Sequence, residues 1–365
     1  MSVSSKHITI SDIAKEAGVS RATVSGVLNN NPAVAQKTRE HVLRVIEKHN
    51  YSPNETARAL ARRHTGLIGL VVKDISSPLY SGISLGVEAA CSKSKYNVVI
   101  GNTHTKAELE IEYLNLLKRR RVDGIIILPL QRQSDIKLFH ELEERHLPFV
   151  LLGDLPDVRA PLVRSDDITG AFNATAHLLK NGYRRLLYLS GPLDFLASER
   201  RKQGFRKAHQ DIGMSVSDDQ EIICGWRIQD GYCKGIERYR TIRNKFDAVF
   251  CYNDSVAIGL IRALSENGIR IPEEIGIIGF DDSEFSNYIN PGLTTVAQPS
   301  FEIGYRATEI LIDRIKSDHL KSVESVLLDT KLIIRETCGS YRNKGKKYVA
   351  MGCNQEPENH GKELL

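Results

Sequence analysis

Arg201, Asn253 and Asp281 carry the groups in this chain best suited to grip a small polar molecule. Cys251-Tyr-Asn-Asp254 puts Asn253 at the end of one apolar run of strand length, and Gly279-Phe-Asp-Asp282 puts Asp281 at the end of another. Arg201 opens Arg-Lys-Gln-Gly-Phe205 after a Ser190-Gly-Pro192 turn, and its guanidinium can fork two donors onto vicinal hydroxyls or a carboxylate. In Asp74-Ile-Ser-Ser-Pro-Leu-Tyr80, Ser77 adds a hydroxyl and Tyr80 a flat face with a polar tip; Trp226 is the only tryptophan. Taken singly, Asp281 reads as a helix cap, Arg201 as a surface ion pair and Trp226 as core. Taken together they suit a neutral polyol, because planar charged and amide groups bond hydroxyls while rings cover the C–H faces of a sugar. Catalysis finds no support: metal-ligand spacing, Gly-x-Ser-x-Gly, Gly-x-x-x-x-Gly-Lys-Ser/Thr and Gly-x-Gly-x-x-Gly are all missing, and a lone Asp or Arg makes no nucleophile–base pair. We expect no metal and no cofactor.

The elements that must hold these residues are buried strands. Leu67–Val72, Asn97–Gly101, Gly124–Leu128 and Phe149–Leu152 form one set of continuous apolar runs, and Leu186–Leu189, Ala248–Cys251 and Ile275–Gly279 a second. Helical stretches separate them, so the strands are parallel and covered on both faces, which predicts two doubly wound α/β subdomains in tandem. Ligands of such sheets sit at the carboxyl ends of the strands, here in the cleft between two lobes.

The amino-terminal segment follows another pattern. Thr9 and Asp12 make a capping pair, Ile13, Ala14 and Ala17 share one helical face, and Gly18 turns the chain. Ser20 caps a second helix predicted to bury Val24, Val27 and Leu28 while Arg21, Ala22, Ser25 and Gly26 point outward, a division that suits a helix laid in a DNA major groove. A third helix spans about Gln36 to His49, with Val42, Leu43 and Ile46 inward and Asn50 as a left-handed stop.

Thr-Ile-x-Asp-Ile-Ala-x-x-Ala-Gly-Val-Ser-x-x-Thr-Val-Ser-x-Val-Leu-Asn, followed by Asn50-Tyr51-Ser-Pro-Asn54, resembles the signature of the LacI/GalR family of bacterial transcription regulators, and the likeness runs to about residue 338. Phrases such as Val-Val-Lys-Asp-Ile-Ser-Ser-Pro-Leu-Tyr are most similar to its maltose-regulon repressor branch. The resemblance implies a helix-turn-helix head on a two-lobed core like that of periplasmic binding proteins. It implies a homodimer on a palindromic double-stranded operator, controlled by a small effector such as a sugar or sugar derivative. Carried over by position, Arg21, Ala22 and Gly26 are the base-reading sites, and Leu60 is the hinge leucine that wedges into the minor groove. Phosphate contacts fall to Thr9, Ser20, Thr23 and Asn29; Arg201, Asn253 and Asp281 match the effector-binding Arg, Asn and Asp, and Tyr80 and Trp226 the stacking positions. Two departures stand out. Ala35 replaces the usual Ser before the third helix, and Gly153-Asp154 follows the fourth strand where several sugar-responsive members have Asp directly.

The likeness divides the chain into a head (1–51), a hinge helix and linker (52–65), a core (66–338) crossed near 166, 298 and 326, and a tail (339–365) read as disordered. Thr294–Pro299 reads as a crossover and Val326–Arg335 as one closing strand. The tail has no leucine heptads, so a dimer is the default. Residues 1–64 hold ten Lys+Arg against five Asp+Glu, a net +5 equal to that of the whole chain, so the excess positive charge sits where it can meet phosphates. The amino terminus lacks an apolar h-region and no run reaches eighteen apolar residues, from which we expect a cytoplasmic protein, on the nucleoid when operator-bound, without membrane contact. Six cysteines without a Cys-x-x-Cys pair predict neither zinc nor disulfides. A periplasmic sugar-binding protein would share the core, but would carry a signal peptide and no DNA-binding head.

Overall fold

The computed structural model describes residues 8–49, 51, 64–120, 122–317 and 325–339. The hinge with Leu60, the Asn50 stop and the tail beyond Gly339 lie outside the described residues. The chain divides into two compact units, Met1–Gly66 and Leu67–Leu365.

The first unit holds α1 (Ile10–Glu16), α2 (Arg21–Leu28) and α3 (Gln36–Lys48). At α1 the capping box is closed in both directions: Thr9 Oγ1 accepts from the Asp12 N–H at 3.4 Å, and Asp12 Oδ2 accepts from the Thr9 N–H at 2.9 Å. Gly18 has φ +64° and nothing near a would-be Cβ, so glycine is required there by backbone conformation and not by space. Ser20 Oγ accepts from the Thr23 N–H at 3.1 Å and starts α2. Ala35 leaves α3 without a side-chain cap. Arg39 nevertheless ties α3 to the turn after α2 through Asn30 Oδ1 and the Asn31 carbonyl, and Lys48 and His49 tie it to Glu16.

The core of this unit is Ile13, Ala14, Ala17, Val24, Val27, Val42 and Val45. Leu43 is 45% exposed, contrary to the face expected from the sequence. Val42, Val45 and Ile46 recur at the three- and four-residue spacing of one face, and Leu43 falls beside it. Gly26 is likewise turned the other way from the expectation: its missing Cβ would meet Val34 Cγ2 at 3.1 Å, so this edge of α2 packs on the loop before α3.

The second unit contains two six-stranded sheets. In chain order its elements are β1 (Leu67–Val72), α4 (Pro78–Lys93), β2 (Asn97–Asn102), α5 (Ala107–Arg120), β3 (Gly124–Ile127), α6 (Ile136–Glu144), β4 (Phe149–Leu151) and β5 (Leu162–Ser165). There follow α7 (Asp167–Lys180), β6 (Leu186–Ser190), α8 (Leu196–Asp211), β7 (Glu221–Ile223), α9 (Ile228–Lys245), β8 (Ala248–Cys251), α10 (Asp254–Glu266) and β9 (Gly276–Asp281). The last elements among the described residues are α11 (Phe285–Tyr288), β10 (Thr294–Ala297), α12 (Ser300–Lys316), β11 (Ser325–Leu328) and β12 (Lys331–Ile333).

The first lobe is the parallel sheet β11-β5-β4-β3-β1-β2; the second is β12-β10-β9-β8-β6-β7, parallel except for β12. Continuous apolar strands such as Gly124–Ile127 and Ala248–Cys251 are buried along their whole length, as strands covered on both faces must be. α4 and α12 approach backbone to backbone in the first lobe, where a Cβ on Gly86 would lie 2.0 Å from the Phe301 carbonyl and one on Gly304 2.0 Å from that of Ile83.

Three crossovers join the lobes: β5 to α7 at Asp166, β10 to α12 at Gln298–Pro299, and β11 to β12 at Asp329–Thr330. Two expectations are corrected here. Thr294–Ala297 is a strand of the second sheet and only the two residues after it cross over. Val326–Arg335 is not one strand: Ser325–Leu328 pairs with β5 in one lobe and Lys331–Ile333 with β10 in the other, so the third crossover falls a few residues after 326. The polar pair Asp329-Thr330 breaks the apolar run at that point.

Candidate functional site

The carboxyl ends of β1, β6, β8 and β9 converge on one cavity between the lobes, with about 290 Å³ of space including its mouth. Its lining includes all six residues singled out from the sequence, Ser77, Tyr80, Arg201, Trp226, Asn253 and Asp281, together with Leu79, Phe195 and Tyr252, which sequence reasoning missed.

Arg201 is the buried centre of the second lobe's wall. It is 3% exposed, and its Nε donates to Asp167 Oδ1 at 2.8 Å. Its Nη1 donates to the Tyr252 carbonyl, and its plane lies over the Phe280 ring at 3.7 Å. Burial opposes the charge, but Asp167 leads the groups that hold its pKa above the ordinary arginine value. The surface-pair reading of Arg201 is therefore excluded. Its remaining N–H groups are a fixed donor fork whose charge is already balanced.

Asp281 ends β9 with φ +123°, a region sparsely used by residues with a side chain. It caps no helix. Its Oδ1 accepts from Gln298 Nε2 at 2.6 Å. Burial raises its pKa, with the neighbouring Asp254 adding to the rise and Arg201 opposing it. Asp254 lies deeper, accepting from the Ser283 N–H (2.7 Å), Ser286 Oγ (2.6 Å) and Thr295 Oγ1 (2.5 Å); burial raises its pKa too.

Asn253 caps α10 by accepting from the Val256 N–H at 2.9 Å, and its Nδ2 donates to the Trp226 carbonyl at 2.9 Å. Trp226 is thus held from below, with Asp230 Oδ2 accepting from its N–H at 2.9 Å, and it stays half-buried instead of entering the core. From the first lobe, Ser77 starts α4 without donating to or capping it, so its hydroxyl is left for the cavity. Tyr80 follows in the first turn, where burial pushes its phenol pKa up.

Side chains also bridge the lobes around the cavity. Leu196 N–H donates to Gln131 Oε1 at 2.7 Å, Gln133 Nε2 to Asp194 Oδ2 at 2.7 Å, and Lys73 Nζ sits 4.0 Å from the centre of the Phe195 ring. Asp154 is taken up by Arg200 of the second lobe and Arg164 of the first. The carboxylate that follows Gly153 therefore belongs to an ion-pair bridge and is absent from the cavity lining.

Tyr252 could have been found in the sequence, since it directly precedes Asn253 at a strand end. Phe195, Asp167 and Gln298 carried no such signal.

On the first unit, Thr9, Ser20, Arg21, Ala22 and Asn29 are exposed and Thr23 and Gly26 half-buried. Arg21 has no hydrogen bond or ion pair among the described residues. Ser20 Oγ and Thr23 Oγ1 lie 2.9 Å apart, and Asn29 Nδ2 donates to the Ser25 carbonyl at 2.9 Å, so these polar groups also serve the caps of α2.

A chain that holds one unit of three short helices, the second exposed, and one two-lobed α/β unit with a polar cleft is built as a ligand-responsive DNA-binding regulator is. Comparison with known proteins agrees. Residues 9–54 match "Bacterial regulatory proteins, lacI family" and residues 175–338 a "Periplasmic binding protein-like domain". An "HTH-type transcriptional repressor PurR" of Vibrio parahaemolyticus serotype O3:K6 is 34% identical over 333 residues, 90% of this chain and 98% of that one. Among solved structures, a transcriptional regulator CelR–cellobiose complex is 30% identical with a TM-score of 0.69, covering 90% of this chain and 99% of that one. The lac repressor dimer bound to operator and the anti-inducer ONPF is 26% identical with a TM-score of 0.81, covering 91% and 99%. The chain belongs to the LacI family of bacterial regulatory proteins. It is a DNA-binding transcription regulator, and not an enzyme. No described helix is long and apolar enough to cross a membrane, and no group of three metal-ligating side chains occurs among the described residues.

Proposed function

We propose that this protein is a homodimeric repressor whose hold on a palindromic operator is set by a neutral, sugar-like effector bound between the lobes. The observation that carries this reading is the meeting of Ser77 and Tyr80 from one lobe with Arg201, Trp226, Asn253 and Asp281 from the other around one cavity. A ligand bonded by both walls favours one lobe angle, which is what an effector must do to shift a two-state protein. Charge argues for an uncharged ligand. Arg201 is neutralised by Asp167 and Asp281 adds no positive charge, so the lining offers a phosphate or carboxylate no uncompensated cation. Cellobiose, the ligand of the CelR complex, is one such neutral sugar.

For the dimer, the support is apolar side chains exposed on the edge strands and outer helices of the core, Val99 and Ile100 on β2, Ile223 on β7, and Ile228 and Ile236 on α9, together with the dimeric state of the lac repressor neighbour. The protein works in the cytoplasm, on the nucleoid when bound to operator. Thr9, Ser20, Thr23 and Asn29 meet phosphates, Arg21 and Ala22 meet bases, and Leu60 opens the minor groove at the operator centre.

The test is a thermal-shift panel of neutral sugars and their phosphate esters, cellobiose and ribose included, followed by calorimetry on Arg201→Ala and Asp281→Ala. A neutral sugar is expected to raise the melting point by linkage and its phosphate ester to have no effect. Each substitution is expected to weaken binding by about 1–3 kcal/mol while operator binding persists. Wild-type affinity in both variants would remove the cleft from the account.

A further inference from the structure

We propose that Gln298 is a positioning residue that ties the cleft carboxylate Asp281 to the first lobe. Gln298 lies in the second crossover, directly after Ala297, which pairs with Asp281 across β10 and β9. Both ends of its amide are engaged. Nε2 donates to Asp281 Oδ1 at 2.6 Å, and Oε1 accepts from Ser165 Oγ. With Asp281 ionised the amide has one orientation: the carboxylate only accepts, so the NH₂ faces Asp281 and the oxygen takes the serine O–H. Ser165 is the last residue of β5 in the first lobe, buried, and one step before the first crossover.

The chain Ser165–Gln298–Asp281 therefore runs from the first sheet through one crossover into the cavity of the second lobe. Asp281 is held on its other flank as well, because the Asp282 N–H donates to Thr295 Oγ1 at 3.3 Å and Arg335 Nη2 to Asp282 Oδ1 at 2.8 Å. A rotation of the lobes about the crossovers moves Ser165 relative to Asp281, and one amide cannot follow both. A group that bonds the second oxygen of Asp281 thus favours the lobe angle at which the link closes. That consequence for a ligand rests on the effector reading of the cleft; the link itself does not.

Charge supplies a test that packing alone would not answer. The groups facing Asp281 are Arg201, Asp167, Asp254, Tyr80 and Tyr252. In wild type the Gln298 amide donates to Asp281 whether its carboxyl is ionised or protonated, so the link survives across the pH range. In Gln298→Glu the new carboxyl reproduces one donor and one acceptor only while protonated, and once ionised it sets two carboxylates against each other. Gln298→Met keeps the length and removes both bonds.

The experiment measures lobe-to-lobe distance by pulsed electron resonance, without ligand, on the full chain. Spin labels are placed at exposed Glu108→Cys and Asp211→Cys in a Cys233→Ser, Cys353→Ser background. Expected are one distance for wild type at about pH 5 and about pH 8.5, the wild-type distance for Gln298→Glu at the lower pH, and a shift of about 2 Å or more at the higher. Gln298→Met is expected to be shifted at both. Wild-type distances for both variants at both pH values would overturn the proposal. So would a Gln298→Glu shift at high pH with Gln298→Met unmoved, because repulsion and not loss of the link would then be the cause. If Gln298→Met does not fold, Gln298→Leu, which also removes both bonds and adds no charge, takes its place with the same expected shift at both pH values. Failure of the cleft as effector site would show separately, as unaltered sugar affinity in Arg201→Ala.

Discussion

A guanidinium that is 3% exposed stays charged and so needs a partner to offset the cost of burial, and Asp167 is that partner for Arg201. Removing it leaves an uncompensated buried charge, so Asp167→Ala is expected to destabilise the core by about 3–5 kcal/mol in urea unfolding. A loss under about 1 kcal/mol would mean the pair contributes no more than a surface salt bridge. Asp281 has the opposite character, because burial favours its protonated form and raises its pKa. A carboxyl with a raised folded-state pKa binds its proton more tightly when folded. Its contribution to stability is whole below the ordinary aspartate value of about 4 and is lost as pH rises through the raised one. Asp281→Asn is therefore expected to flatten the decline of unfolding free energy above about pH 4, and an unchanged slope would contradict the assignment. Asn253 and Asp281 were legible in the sequence because strand ends announce themselves by the end of an apolar run, and Arg201, inside α8, because it follows the turn that ends β6. Asp167 and Gln298 were not, since what matters about them is a partner more than fifteen residues away, brought near only by the packing of α7 on α8 and the pairing of β10 with β9.

Elements with strong local signals matched their sequence reading closely, and the misses have local causes. Leu67–Val72 and Ala248–Cys251 keep the bounds read from apolar runs, because a fully buried strand has no polar residue to blur its ends. β11 and β12 were fused because two short strands joined by two residues look like one strand, and only pairing with different sheets separates them. α3 shows the weakness of a missing cap. Ala35 leaves its first N–H groups without a side-chain acceptor, although Arg39 and Glu16 hold the helix in place by tertiary bonds. Ala35→Ser is expected to stabilise the head by about 1 kcal/mol, read as slower amide exchange in the first turn of α3. Unaltered exchange would show that another group already meets those donors.

For the whole molecule, the question is how a head with so few base-reading side chains selects a site. The first 64 residues carry a net +5 and the rest of the chain balances to zero, so the electrostatic hold on DNA belongs to the head. On its exposed helix only Arg21 can make a two-pronged contact with guanine O6 and N7. Ala22 can at most touch a thymine methyl, and Gly26, packed against Val34, presents no side chain. In a dimer that leaves one strong base contact per half-site, so affinity is expected to come mostly from phosphates and from bending at the operator centre, where Leu60 is the proposed wedge. Selection from a randomised library is expected to return a palindrome with a well-defined centre and few determined flanking positions. Arg21→Ala is expected to flatten one base pair per half-site at a cost of about 1–3 kcal/mol. Leu60→Ala is expected to cost a few kcal/mol, to reduce the bend, and to relax the centre while leaving the flanks. A long, sharply defined half-site that survives Arg21→Ala would place specificity in contacts that the head's exposed face does not offer, and unchanged bending in Leu60→Ala would take the wedge out of the account.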